Sequence, residues 1–301
     1  MNHDRCLSLT AAACLLLIAS VAQAAVSQGT VVQTHLKYAG RASLAEPALR
    51  SSAALVIDTT HSSVLYSRHP DVAMPIASIT KLMTALVVME AGQPLDEILV
   101  LTDEDRGSGK RAVSRLAPGT RLSRGDLMHL ALMASENRAA HALGRNYPGG
   151  IAACVAAMNF KARELGMTSA HFVEPTGLSD ENVASPADLS KLVMAAAQVP
   201  AIRSYSTDGD YVVEVGRRPL HYHNTDSLVM RPDWNIVVQK TGYISQAGRC
   251  LVMQTVIEDR TVVIVLLNSF GKRSRVADAR RVRRWVESTL LTHANQTAST
   301  T

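Results

Sequence analysis

The chain has 301 residues, 47% of them hydrophobic, and Lys and Arg outnumber Asp and Glu by 31 to 26 for a formal net charge of +5. That length suits one large domain or two closely associated lobes. Aromatic residues make up only 4% of the chain, too few for the stacking platforms of a nucleic-acid-binding surface, so no nucleic-acid partner is expected.

Arg5 is followed by a small-apolar run, Leu7 to Val21, and by the small-x-small triplet Ala22-Gln23-Ala24. This is the pattern of a cleaved export signal over residues 1–24, and no later run reaches the ~18 apolar residues of a membrane span. Cys14 lies inside the apolar run and not at its end, which speaks against a lipid anchor. Cleavage removes Asp4 together with Arg5, so the charge stays at +5. Only Cys154 and Cys250 then remain, each among apolar neighbours. Two separate buried thiols are the expectation, although an oxidising compartment permits a bridge.

Residues 25–45 read as a leader, 46–292 as the folded domain and 293–301 as a flexible tail. Ala53 to Ile57 and Val64 to Arg68 read as strands around a polar turn. Pro75 precedes a helix from about Ser78 to Glu90 that is apolar on nearly every side, hence buried, with Gly92 placed to stop it. The middle third is helical in its periodicity: Arg124 to Ala134, Arg138 to Arg145, Ile151 to Leu165 and Pro186 to Ala197, the last with a Ser185 cap. Strands return at Tyr211 to Val215 and Ile236 to Lys240. A hairpin, Leu251 to Ile257 and Thr261 to Leu267, then leads to a basic helix at about Asp278 to Leu291. Strands, a helical block, strands and a helix imply an α+β fold. Its central, mostly antiparallel sheet would be flanked by helices, with an inserted helical lobe and a cleft between the two.

Three short elements carry chemistry. Ser78-Ile79-Thr80-Lys81 places a hydroxyl and an amine on one helical face. A lysine abstracts the hydroxyl proton only when neutral, and burial favours the neutral form. Ser135-Glu136-Asn137 lies between two helices, where a hydroxyl can relay a proton and an amide can hold a substrate carbonyl. Lys240-Thr241-Gly242 ends an apolar strand. Lysine and threonine can bind a carboxylate there, and glycine admits a substrate backbone. Each alone is more readily read otherwise: as a capping Ser78 with a surface Lys81, as a Ser135 N-cap opening the Arg138 helix, and as a strand-ending turn with a solvated Lys240. In this order and context they form the motif set of serine penicillin-recognising enzymes.

On these motifs, and on Pro75 to Thr84, Leu132 to Asn137, Glu174-Pro175-Thr176-Gly177-Leu178 and Lys240-Thr241-Gly242-Tyr243, the chain resembles the S11 family of low-molecular-mass penicillin-binding D,D-peptidases. The resemblance runs from about Ala53 to Leu290. It implies a serine β-lactamase/D,D-peptidase-like fold, a periplasmic location, peptidoglycan stem peptides and cross-links as substrates, and β-lactams as acylating inhibitors. No cofactor or metal is implied. Ser78 would form the acyl-enzyme and Lys81 take its proton. Ser135 would protonate the leaving amine and Asn137 orient the substrate. Lys240 and Thr241 would hold the carboxylate on the leaving side, with the N–H groups of Ser78 and Tyr243 as oxyanion hole.

The chain lacks the added β-rich domain and terminal amphipathic anchor of the family's membrane-anchored carboxypeptidases, which favours an endopeptidase over a carboxypeptidase trimming pentapeptides. A class A β-lactamase would need a deacylating glutamate, and neither Glu164 nor Glu174 has that context. His221 and His223 alternate on one strand face, but no third metal ligand stands at recognisable spacing. A non-catalytic penicillin sensor or wall-binding module would need a signalling span or a partner domain. The terminal helix carries Arg280, Arg281, Arg283 and Arg284 opposite Val282, Val286 and Leu290. The apolar side is expected on the sheet, and the arginines form a solvated face able to make weak contact with anionic lipid or murein.

Overall fold

The computed structural model describes residues 37–38, 46–106, 114–216 and 218–298. The export signal and most of the leader fall outside these residues. In chain order the elements are β1 (Lys37–Tyr38), β2 (Ser51–Asp58), β3 (Ser63–Arg68) and β4 (Met74–Pro75), then a 3-10 turn, Ala77–Ile79, that runs into α1 (Thr80–Glu90). Next come β5 (Ile98–Val100), a second 3-10 turn (Asp103–Arg106), β6 (Arg121–Ser123), α2 (Arg124–Met133), α3 (Asn137–Arg145) and α4 (Gly150–Glu164). After β7 (Val183–Ala184), α5 (Pro186–Ala196) and α6 (Pro200–Thr207) follow β8 (Asp210–Val215), β9 (Arg218–His223), β10 (Asn235–Ile244), β11 (Gly248–Ile257), β12 (Arg260–Ser269) and α7 (Ser274–Ala298).

The main sheet has the order β1-β3-β2-β12-β11-β10. All its pairings are antiparallel except the two-residue β1, which runs parallel to β3. Both faces of the sheet are covered, which is why its central strands are almost continuously apolar in sequence. Along β12, Val263, Val265 and Leu267 enter one core with α1, α2, α4 and α5, while Val262, Ile264 and Leu266 enter a second core under α7. This follows from the two-residue repeat of strand side chains. Val282 and Val286 of α7 are buried in that second core and Leu290 packs against it, as the sequence pattern predicts.

Two helix starts are set by reciprocal capping. Ser123 and Asp126 close a capping box on α2, and Ser185 and Asp188 do so on α5, with Pro186 at the first helical position. Two expectations need correcting. The first helix does not begin at Ser78. That residue sits in the 3-10 turn, because Ala77 has a φ of 49° and an α-helix cannot pass through that conformation. Lys240-Thr241-Gly242 does not end its strand either. β10 continues to Ile244 because β11 pairs with it as far as Gly248. Helical backbone in α7 extends to Ala298, through most of the expected tail.

Candidate active site

Ser78 is held at the mouth of α1 by backbone on two sides. Gly242 of β10 approaches so closely that a Cβ there would stand 2.9 Å from the Ile76 carbonyl oxygen and 3.3 Å from the Ser78 nitrogen. On the other side Gly177, at φ +80°, packs against the Ala77–Ser78 peptide, and any Cβ would overlap the Ala77 carbonyl. Only glycine satisfies both requirements at 177.

Lys81 is the second residue of α1, one turn after Ser78, and is 1% exposed. Its Nζ donates to Ser78 Oγ at 2.9 Å, to Asn137 Oδ1 at 2.7 Å and to the Thr176 carbonyl at 2.5 Å. Three acceptors match the three donors of an ammonium and fix its position. Burial nevertheless lowers the Lys81 pKa from 10.5 to about 8, against the opposing charges of Glu174 and Glu136. The first two sequence elements therefore meet at one atom: Asn137, at the start of α3, and Ser78 share the lysine.

Ser135 sits between α2 and α3 with a φ of 59°, and Glu136, not Ser135, caps α3 by accepting from the Arg138 N–H at 3.1 Å. The capping explanation for Ser135 thus does not apply. Its left-handed backbone has no role in helix initiation, the sort of local outlier that concentrates at functional sites.

Lys240 is fully buried and its Nζ donates to the Thr241 carbonyl at 3.0 Å. Burial pushes its pKa well below 10.5, and the neighbouring Lys81 and Arg275 charges push it the same way against Asp226. Thr241 Oγ1 lies 2.6 Å from Thr225 Oγ1, whose N–H donates to the Met133 carbonyl at 3.1 Å. This links β10 to the end of α2. Tyr243 is 56% exposed, and its ring carries the Arg249 guanidinium 4.6 Å from its centroid.

Several supporting residues carry no motif signal strong enough to be read alone. Glu174 folds the 174–178 loop on itself: its carboxylate accepts from the Thr176 and Gly177 N–H groups, each at 2.6 Å, and from Asn182 Nδ2 at 2.9 Å. Thr84 donates to the Pro175 carbonyl at 2.7 Å, fastening that loop to α1 and aiming the Thr176 carbonyl at Lys81. With both oxygens engaged this way, Glu174 is a loop brace, and Glu164 pairs with Lys161 at 2.6 Å. Arg275 of α7 donates to the Gly242 carbonyl at 3.0 Å. Its long separation in sequence from Gly242 left it invisible to motif reading.

His221 and His223 share the exposed face of β9 with Tyr222 buried between them, as strand alternation predicts. Among the described residues no group of three or more His, Cys, Asp or Glu side chains is arranged to hold a metal. Cys154 and Cys250 are separate buried thiols, pushed up by burial to about 12 and about 11 respectively. No helix among the described residues is long and apolar enough to cross a membrane.

The family model for peptidase S11, described as D-alanyl-D-alanine carboxypeptidase, matches residues 41–271. A D-alanyl-D-alanine endopeptidase of Escherichia coli K12 is 44% identical over 258 residues, 85% of this chain and 83% of the relative. One from Pseudomonas aeruginosa is 47% identical over 243 residues, 80% and 78% of the two chains. The Streptomyces K15 DD-transpeptidase crystal structure superposes with a TM-score of 0.75 over 80% of this chain and 98% of its own, at 22% identity, a likeness in fold. With Ser78 hydrogen-bonded to the buried Lys81, and with this family match over most of its length, the chain belongs to the S11 family of serine-type D-Ala-D-Ala peptidases.

Proposed function

We propose that this enzyme is a D,D-endopeptidase that opens D-Ala-containing peptide cross-links of peptidoglycan through a Ser78 acyl-enzyme. The observation that carries the reading is the buried Lys81 amine on Ser78 Oγ, with a pKa low enough to act as base. Lys81 takes the hydroxyl proton as Ser78 attacks the D-Ala carbonyl. The resulting oxyanion is held by the Ser78 and Tyr243 N–H groups, beside which Gly242 leaves room for the substrate backbone. Ser135 passes a proton to the leaving amine, Asn137 orients the acyl side, and Thr241, with Lys240 buried behind it, receives the carboxylate beside the scissile bond. The names of the relatives at 44% and 47% identity support cross-link cleavage over trimming of terminal D-Ala.

Bound penicillin should leave slowly, since Glu174 and Glu164, the two glutamates considered as bases for deacylating water, are committed to other partners. The chain would be exported to the periplasm with loss of residues 1–24, followed by the 25–45 leader and the peptidase domain at 46–292. The exposed Arg280 and Arg284 on α7 support weak contact with anionic lipid or murein.

The test is digestion of purified cross-linked muropeptides. Wild-type enzyme should convert dimers to monomers, and Ser78→Ala should not. Product masses showing only D-Ala release, with dimers intact, would replace this reading by a carboxypeptidase.

A further inference from the structure

Thr241 and Tyr243 are two residues apart on β10, so their side chains stand on the same face of the strand, about 7 Å apart along it. Across the ladder Tyr243 pairs with Arg249 of β11, and directly opposed residues also share a face. Arg249 lies over the Tyr243 ring, 4.6 Å from its centroid, which holds the guanidinium against the sheet at the rim of the cleft. Among the described residues it has no carboxylate within ion-pair reach, whereas the neighbouring Arg275 has the buried Asp226 to offset its charge. The Arg249 charge itself acts on Arg275. Guanidinium charge therefore continues from the Gly242 carbonyl, where Arg275 is bonded, to the outer end of β10.

This extension has no use for a leaving group that is a single D-Ala, which carries one carboxylate, next to the scissile amide. In a cross-link the leaving amine belongs to a second stem peptide with further carboxylates beyond that one. We propose that Tyr243 and Arg249 form a subsite for a second carboxylate of this acceptor stem peptide, and that the subsite sets the preference for cross-links over terminal D-Ala. The inference rests on the endopeptidase reading. Tyr243 supplies a flat, exposed platform beside the oxyanion position, and Arg249 supplies a planar fork of donors suited to a carboxylate.

The experiment compares kcat/KM for a purified muropeptide dimer and for a pentapeptide ending in D-Ala-D-Ala, with penicillin labelling of Ser78 reporting a folded site. In Arg249→Gln the dimer-to-pentapeptide ratio should fall about tenfold, mostly through KM of the dimer. With the wild-type enzyme alone, raising salt from about 0.05 M to about 0.5 M should lower the same ratio about threefold, because the second contact is at the solvent-exposed rim. A ratio that stays within about twofold under both changes would overturn the subsite. A wild-type enzyme that leaves the dimer intact would overturn the endopeptidase reading instead, before any variant is made.

Discussion

In the proposed mechanism the amine of Lys81 is the base, and its environment sets a pH profile. Neutral amine is the reactive form. With the pKa brought by burial to about 8, about a tenth of the enzyme is ready at pH 7, against roughly one part in three thousand for an ordinary lysine. The second-order rate constant for penicillin acylation should therefore rise nearly tenfold per pH unit to pH ~8 and level above it. A profile still climbing at pH 10 would show an unperturbed lysine. The same shift makes the unfolded chain bind more protons than the folded one between about 8 and 10.5, so this group adds stability as pH rises through that window.

A second residue-scale prediction concerns Gly177. Its alanine variant must displace the Ala77–Ser78 peptide, and a nucleophile moved by about 1 Å can cost 10²-fold. Penicillin labelling of Gly177→Ala should slow by at least about that factor.

At the scale of elements, the site depends on how α3 is seated, because Asn137 is its first residue. The anchor is Asp105, in the second 3-10 turn, Asp103–Arg106. Its carboxylate accepts from His141 Nδ1 at 3.0 Å, Arg145 Nε at 3.0 Å and the Thr102 N–H at 2.7 Å. Burial pushes the carboxyl up, but the bonds from His141 and Arg145 outweigh it and hold the pKa at about 2. The stabilisation is complete above the ordinary value of 3.8 and is lost as pH falls through 2. Asp105→Asn leaves Arg145 without its charge partner and should cost about 3 kcal/mol. Thermal melts should show a Tm lower by roughly 6–12 °C.

Across the whole molecule, the sheet, the terminal helix and the cleft are coupled through Asp278. Its fully buried carboxylate accepts from the Arg50 and Ser51 N–H groups at 3.0 and 2.8 Å, Ser51 Oγ at 2.7 Å, Ser269 Oγ at 3.1 Å and Arg281 at 2.7 Å. These contacts pin the start of β2, the end of β12 and the first turn of α7 together. Arg275, less than a turn earlier, then reaches the Gly242 carbonyl. Removing the carboxylate in Asp278→Ala strands two backbone donors and should destabilise the protein by about 3–5 kcal/mol. Because Arg275 loosens with it, penicillin labelling should slow at temperatures where circular dichroism still reports a folded protein. Full labelling speed in a measurably destabilised variant would show that α7 does not support the cleft.

What the sequence determined by itself is local and periodic. The apolar runs of β2, β11 and β12, the capped start of α5, and the apolar stripe of α7 were all legible, because each is a repeat of two or of about 3.6 residues or carries its own end signal. The three motifs were legible as residue types in order, and so was the pairing of Ser78 with Lys81, since i and i+3 are neighbours on any helical turn. Short strands such as β5 and β6 and the helix α6 carry too few periods to be read that way.

Tertiary structure alone decided the rest. It placed Asn137 and Thr176 on the Lys81 amine, sank Lys240 beneath the cleft, and extended β10 past the Lys-Thr-Gly triplet along β11. It also brought Arg275 and Gly177 to Gly242 and Ser78. The reason is physical. Burial, and with it the lysine pKa, belongs to groups that converge from distant parts of the chain, and no spacing along the sequence encodes their distance in space.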